Sequence, residues 1–218
     1  MQNNLKALKK SSLFSGFNDT ELESMLLCLN TSSREYRRGE YLLNAGDDIY
    51  KIGIIIYGSV QILRENESGE KEIVSEISSG GLFGETLCFA EIHTSHVSVL
   101  AVTDVVTLYI DKKKIVTTCP SSCTFHTKLI ENMLHIIANK NIMLHDKINL
   151  LTKKTTREKL LAYFHMQAEK AGTDEFTIPF KREELADYLS VNRSAMSREL
   201  SKMQKDGLIH FNKNLFHL

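Results

Sequence analysis

Hydrophobic positions change period several times along the chain, and each change marks a change of element. Over residues 4–30 apolar side chains fall at Leu5, Leu8, Leu22, Met25, Leu26 and Leu29, a spacing that predicts helix. From about 33 to 111 the pattern becomes short β-rich runs cut by glycines, such as YLL at 41–43, IGIII at 52–56, VQIL at 60–63 and VSVLAV at 97–102. Many short strands at this spacing predict a sandwich or barrel. Glu67, Ser68, Gly69 and Glu70 have the composition of a hairpin turn. A long helix is predicted over 122–151. TKKTT at 152–156 reads as a polar hinge, and another amphipathic helix spans 157–170.

The long helix carries two apolar rows. Ile130, Leu134, Ile137, Asn141, Leu144, Ile148 and Leu151 step alternately by four and three, a heptad seam with one polar member. A lone Asn at an a-type position fixes a parallel, in-register pair of helices at some cost in stability. The plainer reading is that this stripe packs on the chain's own β domain. Leu129, Met133 and Ile136 form a second row suited to that role, which leaves the seam for a second copy.

Residues 181–209 read KREELADYLSVNRSAMSRELSKMQKDGLI. Leu185, Ala186 and Leu189 make the apolar face of one short helix, and Met196, Leu200 and Met203 that of the next. Asn192 is the expected N-cap, so the second helix starts at Arg193 and Gly207 ends it. Arg193, Ser194, Ser197, Arg198 and Ser201 are left on the opposite face, with Lys202 and Lys205 further along. Arginine forks on such a face reach guanine edges in a major groove, while serines and lysines approach phosphates. The bland alternative is a solvated surface helix. Residues 208–211 and 215–218 then flank Asn212, Lys213 and Asn214 as a short hairpin, and a hairpin behind a helix-turn-helix is a winged helix.

Composition narrows the class. Net charge is zero, but residues 153–218 hold 12 Lys+Arg against 9 Asp+Glu (+3), and residues 1–152 hold 15 against 18 (−3). The basic excess sits with the winged helix, as a nucleic-acid partner requires. Cys28, Cys88, Cys119 and Cys123 contain no C-x-x-C pair and no disulfide framework, which points to a reducing, cytoplasmic setting. No apolar run is long enough to span a membrane, and MQNNLKALKKSSLF lacks a signal-peptide core.

The order of elements, with Tyr36, Arg37, Arg38, Gly39 and Glu40, then Asn44, Ala45, Gly46 and Asp47, then Gly58, Ser59 and Val60, and then Gly81, Leu82, Phe83, Gly84 and Glu85, resembles the Crp/Fnr family of bacterial transcription regulators over essentially the whole chain. The resemblance implies an α+β chain in three parts. An N-terminal double-stranded β-helix, a β-roll like cyclic-nucleotide-binding domains, occupies 1–121 with its N-terminal helices. A dimerisation helix and hinge follow over 122–152, and a C-terminal winged helix-turn-helix over 153–218. It implies a homodimer on an inverted-repeat DNA site, responsive to a signal in the roll. RNA polymerase is a further partner if the protein activates. Arg193 and Arg198 match the family's guanine-reading arginines. Ser194 stands where cyclic-AMP-dependent members carry a glutamate.

Two departures bear on the effector. Ser95 and His96 stand where cyclic-AMP-binding members have an Arg-Ser pair, and no arginine occurs between Arg64 and Arg157. Ile142 and Met143 stand where those members meet the base with Thr-Ser. A buried phosphate without a cation is costly. The effector pocket expected from the resemblance is therefore Phe83, Gly84, Glu85, Leu87, Cys88, Ser95, His96, Ile142 and Met143, a mostly apolar set suited to an uncharged or organic ligand. The N-terminal 27 residues contain no cysteine, so an iron–sulfur cluster is not expected. A haem or metal at Cys88, His93 and His96, a small organic ligand, and redox sensing at Cys119 and Cys123 stay open. No catalytic residue and no resident metal are assigned. Two other readings compete. A cupin-like metal enzyme needs a tighter histidine spacing than His93-x-x-His96. A nucleotide-sensing or interaction module without DNA leaves the arginine-bearing helix unexplained.

Overall fold

The computed structural model describes residues 2–66, 69–117 and 124–218. Residues 67 and 68 of the expected hairpin turn, and Cys119 and Cys123, lie outside the described residues. The chain divides into two compact units, Met1–Asn139 and Lys140–Leu218.

The first unit opens with α1 (Gln2–Lys10), a 3₁₀ turn (Ser12–Phe14) and α2 (Asp19–Cys28). The sequence pattern suggested one helical stretch over 4–30. The structure breaks it, because Gly16 takes a left-handed φ of 76° and Asn18 starts a new helix. Asn18 accepts from the Glu21 backbone N–H, and the Glu21 carboxylate accepts from that of Asn18, a reciprocal capping box.

Eight strands follow: β1 (Ser32–Tyr36), β2 (Tyr41–Leu43), β3 (Lys51–Tyr57), β4 (Ser59–Glu65), β5 (Lys71–Ser78), β6 (Leu82–Phe83), β7 (Ser98–Ala101) and β8 (Val105–Asp111), with the short α3 (Glu85–Phe89) between β6 and β7 and α4 (Lys112–Val116) after β8. They form two four-stranded antiparallel sheets, in the orders β1-β8-β3-β6 and β2-β7-β4-β5. Tyr36, Ile55, Val60, Phe83, Val99, Ala101 and Val105 fill one core between them. A second core lies on the outer face of β3 and β8, where Ile52, Ile54, Ile56, Leu108 and Ile110 meet Leu8, Leu13, Phe14, Leu22 and Met25. This is why β3 reads as an unbroken apolar run: both of its faces are buried. Gly53 is required there, since a Cβ at that position would lie 2.1 Å from the Phe83 ring.

The long helix α5 (Thr124–Leu151) contributes Leu129, Met133 and Ile136 to that outer core. The Asn132 side chain donates to the carbonyls of Leu13 (2.9 Å) and Ser15 (3.0 Å), tying α5 to the 3₁₀ turn.

The second unit contains the end of α5, then α6 (Thr156–Ala171), β9 (Glu175–Thr177), α7 (Arg182–Leu189), α8 (Arg193–Lys205), β10 (His210–Asn212) and β11 (Leu215–His217). The wing is a three-stranded sheet in the order β10-β11-β9. Phe216 anchors it, stacked at 5.4 Å on Phe211 and packed at 4.5 Å on Phe164 of α6.

Candidate nucleic-acid interface

The outer face of α8 is built from the turn that precedes it. Ser190 takes a left-handed φ of 49° and ends α7. Two lysines from other helices satisfy the carbonyls released there. Lys159 of α6 donates to Leu189 O (3.0 Å), and Lys147 of α5 donates to Tyr188 O while its ammonium lies over the Tyr188 ring. Cations at a helix C-terminus also oppose its negative dipole end. Burial, and then the nearby charge of Lys159, lower the pKa of Lys147.

Asn192 then caps α8, its side-chain oxygen accepting from Ala195 N at 3.1 Å. Met196, Leu200 and Met203 are buried against the unit's core. Arg193, Ser194, Ser197, Arg198, Ser201 and Lys202 are all exposed, as is Lys205. The first turn contains no acidic residue. Among the described residues neither Arg193 nor Arg198 forms an ion pair. The Ser201 hydroxyl donates to Ser197 O at 3.1 Å. Arg198 Nε donates to Ser194 O at 3.4 Å, and the result is a helix surface with two guanidinium groups outside any ion pair among the described residues, small hydroxyls and a basic end.

One residue that orients this helix was not identified from sequence. Arg157, in the first turn of α6, pairs with Glu199 and, at 2.8 Å, with Asp206, so it grips α8 along its length. The hydrogen bond to Glu199, then that to Asp206, raises the Arg157 pKa. Lys147 and Lys159 were missed as Arg157 was, because the partners of all three are remote in sequence.

The residues expected to form an effector pocket are distributed as follows. Phe83 ends β6, and Gly84, with φ 82°, starts α3, which carries Glu85, Leu87 and Cys88. These last three are buried. Burial pushes the Cys88 thiol up to about 11 against the opposing effect of Lys112, so it is not a thiolate at neutral pH. Ser95 is buried, and its hydroxyl donates to Val97 O at 2.7 Å within its own turn. His93 and His96 are exposed. Ile142 and Met143 are exposed on α5, in the second unit. Among the described residues no three His, Cys, Asp or Glu side chains gather to hold a metal.

On α5, Leu134, Ile137, Leu144, Ile148 and Leu151 are 37–63% exposed. Asn141 is exposed beside them and Ile130 is half-buried. The other row is buried. No helix among the described residues is long and apolar enough to cross a membrane.

Known proteins give this geometry its context. Residues 33–121 match the family model of the Cyclic nucleotide-binding domain, and residues 158–217 that of the Crp-like helix-turn-helix domain. The Electron transport regulator A of Shewanella oneidensis is 25% identical over 179 residues, 79% of this chain and 69% of its own length. Transcriptional activator protein FnrL of Cereibacter sphaeroides is 25% identical over 200 residues, 81% of this chain and 71% of its own. The Catabolite Activator Protein of Thermus thermophilus has the same fold, with a TM-score of 0.56 at 20% identity over 95% of this chain and 93% of that one. A cyclic-nucleotide-binding-type roll followed by a Crp-like helix-turn-helix defines a transcription regulator rather than an enzyme, and the second domain implies DNA binding. The chain belongs to the Crp/Fnr family of bacterial transcription regulators.

Proposed function

We propose that this regulator acts in the cytoplasm as a homodimer on an inverted-repeat operator, read by α8, in response to an effector other than cyclic AMP. Its parts are the sensing roll (1–121), the dimerisation helix with its hinge (122–152) and the DNA-binding domain (153–218). The observation that carries this reading is the two-sided character of α8: its apolar stripe is buried, and Arg193, Ser194, Ser197, Arg198 and Lys202 all face solvent. The open heptad row on α5 supports pairing with a second copy, which would set two α8 helices on one duplex. RNA polymerase is a further partner where the protein activates.

Selection from a random duplex pool tests the DNA reading. Wild type should return a palindrome whose half-site centres lie about 34 Å, one helical turn, apart. Arg193→Ala and Arg198→Ala should each cost about 1–3 kcal/mol and relax preference at one guanine. Lys202→Ala or Lys205→Ala should weaken all sequences alike and flatten the salt dependence. A pool without a palindrome, or both arginine variants returning the wild-type motif at full affinity, would show that α8 is not the reader.

The effector reading rests on Ser95 and His96 in the place of the phosphate-binding Arg-Ser pair. Phe83, Gly84, Glu85, Leu87, Cys88, Ser95 and His96 of the roll are proposed to serve an uncharged or organic ligand instead. Calorimetry with cyclic AMP should show no binding in the low-micromolar range, on the order of −8 kcal/mol. A saturable low-micromolar isotherm would overturn this.

A further inference from the structure

We propose that the end of the roll lined by β1 and β2 binds a small carboxylate carried on an aromatic or branched apolar body. The inference rests on the roll being the sensing part of a regulator. A cleft of about 590 Å³ opens there, within the size range of small-molecule sites. Of the residues assigned above to an effector pocket, only Phe83 lines it. Leu42, Leu43, Ile49 and Phe83 give it apolar walls, and Tyr36 and Tyr109 complete them.

The two tyrosines also supply the recognition. Their hydroxyls are 2.7 Å apart. Two hydroxyls carry two protons, and one hydrogen bond uses one of them. Among the described residues neither hydroxyl has a further partner, so the second proton is available to an acceptor in the cleft. Burial, and then the hydrogen bond to Tyr36, hold the Tyr109 phenol far above its ordinary range, so it stays a neutral donor. The Arg34 guanidinium stands over the Tyr36 ring, 5.0 Å from its centroid. It forms no ion pair among the described residues, and its charge acts on Tyr109 as well. A fixed donor beside a free guanidinium suits the two oxygens of a carboxylate.

Asp47 and Asp48 set the charge limit. Both line the cleft, and Asp47 already accepts from the Asn44 backbone (2.8 Å) and side chain (3.2 Å). Lys51 also lines the cleft, its ammonium over the Tyr50 ring, so Asp47 and Asp48 balance Arg34 and Lys51. A lining without net charge suits a monoanion better than a dianionic phosphate, and its carboxylates can face the ammonium of an amino acid.

Titration of the full-length protein with phenylacetate, phenylalanine and phenyl phosphate, followed by ligand-observed NMR and calorimetry, tests this. At least one of the two carboxylates should saturate below about 10 mM, and phenyl phosphate should bind more weakly than it. Arg34→Gln and Tyr109→Phe should each weaken carboxylate binding about tenfold with the melting temperature unchanged. If Tyr109→Phe lowers the melting temperature, Tyr36→Phe removes the other half of the hydroxyl pair and should weaken binding alike. No carboxylate saturation, wild-type affinity in the arginine and tyrosine variants, or preference for the phosphate would each overturn the proposal. A protein that selects a palindrome but binds no carboxylate removes this site alone. One that binds carboxylates but selects no duplex removes the regulator reading and leaves the site standing.

Discussion

A chain carrying both Ile137→Glu and Leu144→Glu should sediment as a monomer and lose about 10²–10⁴-fold in operator affinity. Both residues stand on the open row of α5, 37% and 63% exposed in the single chain. Glutamates there cost the isolated chain little, because they meet water. In a paired helix they would be buried facing their own symmetry mates, where unpaired carboxylates are strongly disfavoured. Leu129, Met133 and Ile136, which hold α5 to its own β domain, are untouched, so the melting of the roll should be unchanged. The loss of affinity follows because two linked half-sites bind far more tightly than one. Sedimentation velocity with a gel shift at fixed salt reads both effects. If the double variant still sediments with the wild-type coefficient, the seam is misassigned.

Phe216→Ala is expected to destabilise the second unit by about 3–5 kcal/mol. Phe216 is fully buried, with Phe164, Phe176 and Phe211 around it at 4.5–6.2 Å. It joins β10 and β9 through their common neighbour β11, and Arg182 lies over its ring at 5.0 Å. Truncation leaves a cavity between α6 and the wing that this sheet has too few residues to close. Specific DNA binding should fall with the population of folded second unit. Differential scanning calorimetry with hydrogen exchange should show lost protection confined to residues 140–218. Unchanged protection of α8 in the variant would mean that the wing does not support the recognition helix.

Where a segment's own periodicity reports its burial, sequence and structure agree. Met196, Leu200 and Met203 against Arg193, Ser197 and Arg198 is a helix with one dry face and one wet face, and the period of 3.6 makes that visible without any partner. The buried and exposed rows of α5 are legible for the same reason. The β-rich span 33–111 was bounded to within a residue, because glycine-cut β-branched runs begin and end with the roll. The break between α1 and α2 was missed because one apolar spacing runs across both, and only the left-handed Gly16 and the Asn18 cap divide it.

Sequence by itself determined the order of parts, the cap and faces of α8 and the pair of rows on α5. Each is a property of neighbours along the chain, which local geometry places on a common face. Tertiary structure alone decided the rest. It recruited the three residues of β9, too few to show a period, as the third strand of the wing. It brought Arg157 to Glu199 across 42 positions and Tyr36 to Tyr109 across 73. It set two lysines on the carbonyls at the end of α7. These are meetings of groups that no local period relates, and they exist only once two elements pack and their buried polar atoms must find partners.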